Sequence, residues 1–142
     1  MSDGSEHVTP LIKMISESME RKANERLAEY NITFSQMRLL GVLYSMENKE
    51  CRLKELEKHF SFSATAVAGV VNRLEAKEYV QGFVCESDKR IKCVRMLPNG
   101  EQVVCKAQSE IKEFEEELFN SFTPDEKVVL LSALTKVYEK MV

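Results

Sequence analysis

The residues of this sequence best suited to bind an anion lie in a charged run between two apolar segments. Residues 86–90 read Glu-Ser-Asp-Lys-Arg, and the segments on either side are rich in β-branched and aromatic residues. This arrangement predicts a β-hairpin with a charged tip. An arginine there serves no core, and its N–H donors suit a phosphate or the electronegative minor groove of DNA. We expect Arg90 to enter such a groove, with Asp88 orienting Arg90 or Lys89 through an ion pair. The alternative is a solvated turn whose surface ion pair contributes under about 1 kcal/mol.

The segment before this tip predicts a helix with one apolar face and one slim, polar face. Four apolar residues fall at the helical spacing i, i+3, i+4 and i+7, and these are Val67, Val70, Val71 and Leu74. Ser63 precedes them as a candidate N-cap. The opposite face holds small and hydrogen-bonding side chains, so the helix can lie close to a large partner. The candidate contact residues of this segment are Ser63, Ala64, Thr65, Ala68, Gly69, Asn72 and Arg73.

The side chains on that face are of types that bind nucleic acids. Thr65 and Asn72 can form hydrogen bonds with base edges or phosphates, while the alanines and the glycine permit close approach or touch a thymine methyl group. Arg73 is expected to contact a phosphate or a residue of its own chain. The alternative for this face is a small-residue helix that packs on another protein.

A shorter apolar pattern comes before this helix. Leu53, Leu56 and Phe60 predict a short helix, and residues 60–63 predict a tight turn into the next one. A short helix, a turn and a second amphipathic helix form a helix-turn-helix. A basic-tipped hairpin directly after it is the order of a winged helix-turn-helix, whose second helix enters the major groove while the hairpin reaches the neighbouring minor groove.

Four motifs in register resemble the MarR family of small bacterial and archaeal transcription regulators. They run from about Ile32 to Gly100 and are Thr33-Phe34-Ser35-Gln36, Leu53-x-x-Leu56, Val71-Asn72-Arg73-Leu74-Glu75 and Asp88-Lys89-Arg90. The sequence departs from the family at Gly82, where arginine is usual, and at Leu97, where threonine is common. Gly69 and Glu78 are also atypical. These departures bear on the operator sequence more than on the fold.

The resemblance implies a homodimeric repressor that binds a palindromic operator in double-stranded DNA and is released by a small-molecule effector. In such proteins the effector is often phenolic or lipophilic, and it binds between the dimer helices and the DNA-binding lobe. Two alternatives remain open. One is a winged-helix module for protein–protein interaction without specific DNA binding, and the other is a thiol-based redox-sensing regulator.

Two amphipathic regions outside the winged helix predict a dimer. Thr9, as N-cap, and Pro10 open a helix of about 20 residues. Its apolar stripe comprises Leu11, Ile15, Met19, Ala23, Leu27 and Tyr30. Near the other end, Thr123, Pro124 and Glu126 form a capping box for a final helix. We expect residues 8–31 and 101–142 to interlock with a second copy, although packing within the chain is the alternative. Residues 32–100 would form the DNA-binding lobe of a single domain over residues 1–142, which is mainly α with a small β-hairpin.

Several local features complete the predicted fold. Thr33 and Gln36 form a capping box for a helix whose apolar stripe comprises Phe34, Met37, Leu40 and Leu43. Gly41 inside that helix indicates close packing, because glycine there costs about 1 kcal/mol relative to alanine. Residues 46–50 are predicted as a loop and residues 98–100 as a turn, and residues 1–8 as a polar, frayed end.

Composition and charge distribution are compatible with DNA binding on one side of the molecule only. The chain has 142 residues, 44% of them hydrophobic, and a net charge of −3. Residues 60–95 carry six bases and four acids, whereas residues 101–142 carry five bases and nine acids. A dimer would therefore present two basic lobes on an acidic body. No apolar run approaches 18 residues and no signal-peptide pattern begins the chain, so we expect a cytoplasmic protein without membrane contact.

The remaining reactive side chains do not form a recognisable catalytic or metal site. Neither His7 nor His59 has a second histidine nearby, and no Cys-x-x-Cys spacing occurs. The sequence contains no nucleophile elbow and no phosphate-binding glycine loop. We therefore expect that the protein is not an enzyme and that it binds no cofactor and no metal. The four cysteines are predicted to be buried structural thiols rather than redox sensors, and they are Cys51, Cys85, Cys93 and Cys105.

Overall fold

A computed structural model describes residues 7–142. Residues 1–6 of the expected frayed end lie outside the described residues, whereas the prediction is wrong at Val8, which already belongs to a helix. The chain divides into two compact units, one ending at Ser109 and the other spanning Glu110–Val142. The prediction of a single domain over residues 1–142 stays a prediction. The mainly helical fold class with a small antiparallel sheet is confirmed. The described residues form two helices, a strand, two helices, two strands and two helices, in that order.

The helices before the sheet are α1 (Val8–Leu27) and α2 (Phe34–Ser45), joined through a 3₁₀ turn at Ala28–Tyr30. The predicted capping box of α2 is present, since the Thr33 hydroxyl accepts from the Gln36 N–H while the Gln36 side chain accepts from the Thr33 N–H. The predicted cap of α1 is wrong. The helix begins at Val8 with His7 at the N-cap position, and Pro10 fits inside its first turn because N–H groups there have no intrahelical partner.

The helix-turn-helix consists of α3 (Leu53–Phe60) and α4 (Ala64–Ala76), which we call the reading helix. The wing follows as β2 (Val80–Val84), the tip at residues 86–90 and β3 (Lys92–Met96). A third strand, β1 (Glu50–Arg52), was not predicted, and the loop prediction for residues 46–50 is wrong at Glu50, where this strand begins. The sheet order is β1-β3-β2, and Val94 of the central strand pairs with Cys51 on one side and Gly82 on the other.

Two predictions at positions that contain glycine are wrong, the turn at residues 98–100 and the close packing at Gly41. Residues 98–100 are not a turn, because α5 spans Pro98–Leu118 and Pro98 stands in its first turn. Gly100 is buried there, and a Cβ on it would fall on the carbonyl group of Tyr79. Glycine is therefore required by the close approach of α5 to the start of the wing, whereas at Gly41 a Cβ would meet nothing within 4 Å, so the predicted close packing is not found there.

The core of the first unit lies where α1, α2 and the helix-turn-helix meet the sheet. Side chains that are fully buried come from every part of this lobe, namely Ala23, Leu27, Leu40, Leu43, Leu56, Leu74, Val94 and Ala107. Three of the four residues predicted on the stripe of α2 are buried, and Phe34 is half-buried. The inner face of the winged helix is thus held by aliphatic packing, and its outer face is left to polar and small residues.

The second unit contains the end of α5 and α6 (Pro124–Met141). The predicted capping box opens α6, since Thr123 accepts from the Glu126 N–H at 3.1 Å and the Glu126 carboxylate accepts from the Thr123 N–H at 3.0 Å. No residue of α6 is buried. Its apolar residues are exposed along the whole helix, namely Val128, Val129, Leu131, Leu134, Val137, Tyr138 and Met141.

Candidate nucleic-acid interface

The reading helix buries its aliphatic stripe and exposes the face on which the contact residues were predicted. Val67, Val71 and Leu74 are buried. The Ser63 hydroxyl accepts from the Ala66 N–H at 3.1 Å and so caps the helix as predicted. Of the predicted contact residues, Ala68 and Gly69 are half-buried, and the exposed ones are Ser63, Ala64, Thr65, Asn72 and Arg73. A helix with this face offers a thin surface bearing several hydrogen-bonding groups.

The turn that sets the angle between α3 and the reading helix is fixed by its backbone. Ser61 has a φ of 54°, in the left-handed region, and its N–H bonds to the Glu57 carbonyl. The Phe62 N–H also reaches that carbonyl at 3.1 Å. These bonds satisfy the end of α3 and direct the chain into the Ser63 cap. Sequence spacing predicted the turn but not its left-handed residue.

The tip of the wing holds Arg90 in one orientation. Asp88 accepts from the Arg90 backbone N–H at 3.0 Å, from Nε at 3.0 Å and from a terminal guanidinium nitrogen at 3.1 Å. Asp88 therefore pairs with Arg90 and not with Lys89. These bonds lower the pKa of the Asp88 carboxyl and raise that of Arg90. The Arg90 side chain is 91% exposed, so the fork points into solvent with its geometry already set.

Two polar contacts tie the reading helix to its surroundings. The Glu75 carboxylate accepts from the Gly82 N–H at 3.0 Å, which joins the helix to the first strand of the wing. The Lys77 ammonium group donates to the Asn31 carbonyl at 2.9 Å and to Gln36 Oε1 at 2.8 Å, and partial burial lowers its pKa. The end of the helix is thus fixed to the start of α2 and to β2.

The helix ends in a Schellman motif with a side chain where glycine is preferred. The Tyr79 N–H bonds to the Leu74 carbonyl at 3.0 Å and the Glu78 N–H to the Glu75 carbonyl at 2.9 Å. Glu78 lies at C′ with a φ of 60°. A residue with a Cβ is strained in this left-handed conformation. The atypical glutamate noted in the sequence therefore stands at a position that favours glycine.

A basic residue that the sequence patterns did not single out lies beside the helix-turn-helix turn. The Arg38 guanidinium carbon is 4.8 Å from the centroid of the Phe60 ring, 5.8 Å from that of Phe62 and 5.9 Å from that of Phe34. We call these three phenylalanines the aromatic cluster. Phe60 and Phe62 stack on one another at 5.4 Å. No spacing signal could have found this group, because it forms only when α2 packs against the end of α3.

The thiols occupy different environments. Burial raises the pKa of Cys51 to about 11 and also raises that of Cys93, while hydrogen bonds from Ser87 and from backbone N–H groups lower the pKa of Cys85. Cys51 is buried, Cys85 and Cys93 are half-buried and Cys105 is exposed, so the expectation of a buried thiol is confirmed for Cys51 and wrong for Cys105. Cys93 pairs with Phe83 across the wing, and the Cys85 N–H bonds to the Ile91 carbonyl, so the register does not place Cys85 and Cys93 opposite each other.

Among residues 7–142, no group of three or more His, Cys, Asp or Glu side chains is arranged to hold a metal ion. His59 lies edge-on against the Phe60 ring at 5.0 Å. None of the helices in the described part of the chain is both long enough and apolar enough to span a membrane.

Comparison with known proteins identifies the family. A model of the MarR family matches residues 30–91. The multiple antibiotic resistance protein MarR of Escherichia coli strain K12 is 30% identical over 130 residues, which is 89% of this chain and 88% of that protein. The structure is similar to that of a MepR–DNA complex from S. aureus, with a TM-score of 0.88, 26% identity and coverage of 94% of this chain and 97% of that one. It is also similar to a mutant MarR of E. coli complexed with operator DNA, with a TM-score of 0.84, 26% identity and coverage of 96% and 99%. The chain therefore belongs to the MarR family of winged helix-turn-helix transcription regulators.

Proposed function

We propose that this regulator binds a palindromic DNA operator as a homodimer, with the reading helix in the major groove and Arg90 in the neighbouring minor groove. The observation that carries the proposal is the pairing of a slim exposed helix face with a pre-oriented arginine on the same lobe. Asp88 holds the arginine fork through three hydrogen bonds. An arginine already ordered in this way loses less conformational entropy when it enters a narrow groove.

Each predicted contact residue has a role in this proposal. Thr65 and Asn72 lie exposed on the reading helix and would bond to base edges or phosphates. Ser63, Ala64, Ala68 and Gly69 would let the helix approach the floor of the groove, while Arg73 and Lys89 would bind phosphates. Gly82 has no side chain to reach DNA, so the wing would depend on the tip alone.

The second copy would cover the apolar surfaces of the terminal helices. On α1 the exposed apolar residues include Leu11, Met14 and Ile15, and on α6 they run to Met141. Apolar surface repeated over whole helices is typical of an interface rather than of a solvated face. A two-fold dimer would present two reading helices about 34–36 Å apart, one turn of DNA.

The family suggests the mode of regulation. Bound to an operator, the protein would act as a repressor in the cytoplasm, and a small phenolic or lipophilic effector would release it by changing the spacing of the two lobes. The effector would bind between the dimer helices and the lobe.

Equilibrium binding to random duplex DNA, followed by selection of bound duplexes from a random pool, tests the proposal. We expect binding at low salt that falls steeply as salt is added, because phosphate contacts release counterions. We also expect the selected sequences to converge on a palindrome. Absence of salt-dependent binding would favour the protein–protein interaction module instead. Loss of binding after peroxide, reversed by a thiol reductant, would favour the redox-sensing regulator.

A further inference from the structure

Arg38 is exposed, and its guanidinium group lies against the aromatic cluster. Its guanidinium carbon lies closest to the Phe60 ring, at 4.8 Å, and the other two rings of the aromatic cluster lie within 6 Å. Within residues 7–142 it forms no ion pair with a carboxylate and no hydrogen bond. Arginine stacks through its planar face and donates hydrogen bonds along its edge. Stacking therefore leaves the donors that suit a bidentate phosphate contact unused.

The aromatic cluster places this arginine beside the start of the reading helix. Phe60 is the last residue of α3, and Phe62 directly precedes the Ser63 cap. In helix-turn-helix complexes the first residues of the second helix contact base edges, while the preceding helix crosses the sugar–phosphate backbone. In a complex of that kind, the corner between α3 and α4 would face a backbone strand that borders the major groove. Positive charge at that corner would then meet phosphate and not bases.

We propose that Arg38 binds a backbone phosphate of the operator and thereby fixes the depth and register of the reading helix, with the aromatic cluster holding the guanidinium plane. The inference rests on the proposed DNA-binding function and adds a contact on α2, outside the predicted contact residues. The alternative is that Arg38 only stabilises the turn through its contact with the Phe60 ring, an interaction that contributes about 0.5–1 kcal/mol at an exposed site. The two readings differ in the salt dependence of DNA binding.

The test measures the dissociation constant of the full chain for a selected operator and for a random duplex across a salt series. Arg38→Gln removes the charge, and Arg38→Met removes it while keeping an apolar stem on the cluster. Arg21→Gln is the matched control, because Arg21 is an exposed arginine on α1 and not part of the helix-turn-helix. For Arg38→Gln and Arg38→Met we expect about tenfold weaker binding, equally for both duplexes, and a salt slope smaller by about 1. The control should change neither.

Two further variants test the role of the rings. Arg38→Lys keeps the charge but not the planar fork, and Phe60→Leu keeps the arginine but removes its closest ring. We expect both to retain the wild-type salt slope and to bind several-fold more weakly. A wild-type slope in both Arg38→Gln and Arg38→Met would overturn the inference, as would an equal loss in Arg21→Gln. Wild-type protein without salt-dependent binding would instead remove the proposed function, so the two failures are distinguishable.

Discussion

At the residue level, the tip of the wing pairs an acid with the arginine that we expect to meet DNA. Asp88 lies next to the arginine expected to meet phosphates, and an isolated carboxylate there would repel them. In this structure its oxygens are occupied by Arg90, and the pair leaves the terminal edge of the guanidinium exposed. The ion pair is solvated and contributes little to folding, so we expect it to affect binding more than stability.

Replacing Arg90 with alanine should weaken operator binding by about 1–3 kcal/mol, the range for one good contact. The melting temperature should stay nearly unchanged, because the side chain is 91% exposed. Asp88→Asn is a useful companion, since it keeps the size of the partner but removes the charge, and we expect a smaller loss. Titration of labelled operator duplex measures both. Unchanged affinity and salt slope in Arg90→Ala would remove the wing from the mechanism.

The thiols should differ in reactivity towards an aromatic disulfide reagent. Thiolate is the nucleophile, and a lowered pKa increases the thiolate fraction at any pH below that pKa. Cys85 has a lowered pKa and should react first, whereas Cys51 is buried, with a pKa of about 11, and should react only on unfolding. Absorbance kinetics on single cysteine-to-serine variants identify each phase. Persistence of the fastest phase in Cys85→Ser would contradict the assignment.

Mild peroxide should nevertheless leave DNA binding unchanged. Cys93 pairs with Phe83, so Cys85 is its diagonal neighbour, and Cα atoms so related are about 7–8 Å apart, beyond the usual range for a disulfide. The contrary outcome is that peroxide releases the wild-type protein from DNA while a Cys85→Ser, Cys93→Ser double variant stays bound. That result would show that a disulfide forms between Cys85 and Cys93.

At the level of elements, the turn between the reading helix and the wing carries strain that one substitution should remove. Glu78→Gly places glycine at the C′ position, where φ is 60°, and should stabilise the fold by about 1 kcal/mol. Glu113→Gly is the matched control, because Glu113 is exposed within α5. Glycine in a helix interior should destabilise the protein by about 0.5–1 kcal/mol. Urea denaturation measures both, and the same sign for both changes would contradict this account.

Elements with local signals were predictable from the sequence, and those that depend on distant contacts were not. The caps at Thr33, Ser63 and Thr123 join residues three apart, so the sequence alone contains them. Strand β1 has only three residues and forms because β3 offers it a partner some 40 residues later in the chain, at Cys93 to Arg95. The prediction of a turn at residues 98–100 is wrong for a similar reason. Gly100 is required there by its close approach to the Tyr79 carbonyl, which is distant in sequence.

The residues of the candidate site likewise include some that local sequence signals predict and others that depend on distant contacts. The hairpin tip and the polar face of the reading helix follow from period and residue type over a short segment. Arg38 could not be selected by those signals, because its nearest ring belongs to Phe60, on another helix. Lys77 was missed likewise, since its partners Asn31 and Gln36 precede it by more than 40 residues.

At the level of the whole molecule, we expect the terminal helices to determine whether the protein can bind two half-sites at once. Leu131 on α6 is 69% exposed, and burying it against a second copy is favourable. Leu131→Glu should therefore shift the protein towards monomer and weaken binding to a palindrome, whereas Ser132→Glu, an equal change of charge on the neighbouring exposed residue, should do so less. Sedimentation velocity across a concentration series measures the shift. Equal dimerisation of both variants would exclude this face of α6 from the interface.

Deleting residues 1–30 would answer the same question less clearly. Loss of the exposed stripe of α1 would leave insoluble or monomeric protein, but Ala23 and Leu27 are also fully buried within the lobe. The truncated chain would lose part of its own core together with its partner surface. Point substitutions at exposed positions separate these two effects.

Strand β1 has a mechanical consequence for any such dimer. It leads directly into α3 and is hydrogen-bonded to β3, while Glu75 of the reading helix holds Gly82 of β2. Because these contacts join the helix to the wing, we expect the two to move together and not to adjust separately to misplaced DNA. Inserting one base pair at the centre of the palindrome turns one half-site by about 34–36° relative to the other, given 10–10.5 base pairs per turn. We expect that insertion to abolish two-site binding while each half-site, assayed alone, keeps its affinity. Undiminished binding to the lengthened duplex would mean that the two DNA-binding lobes of the dimer can rotate relative to one another.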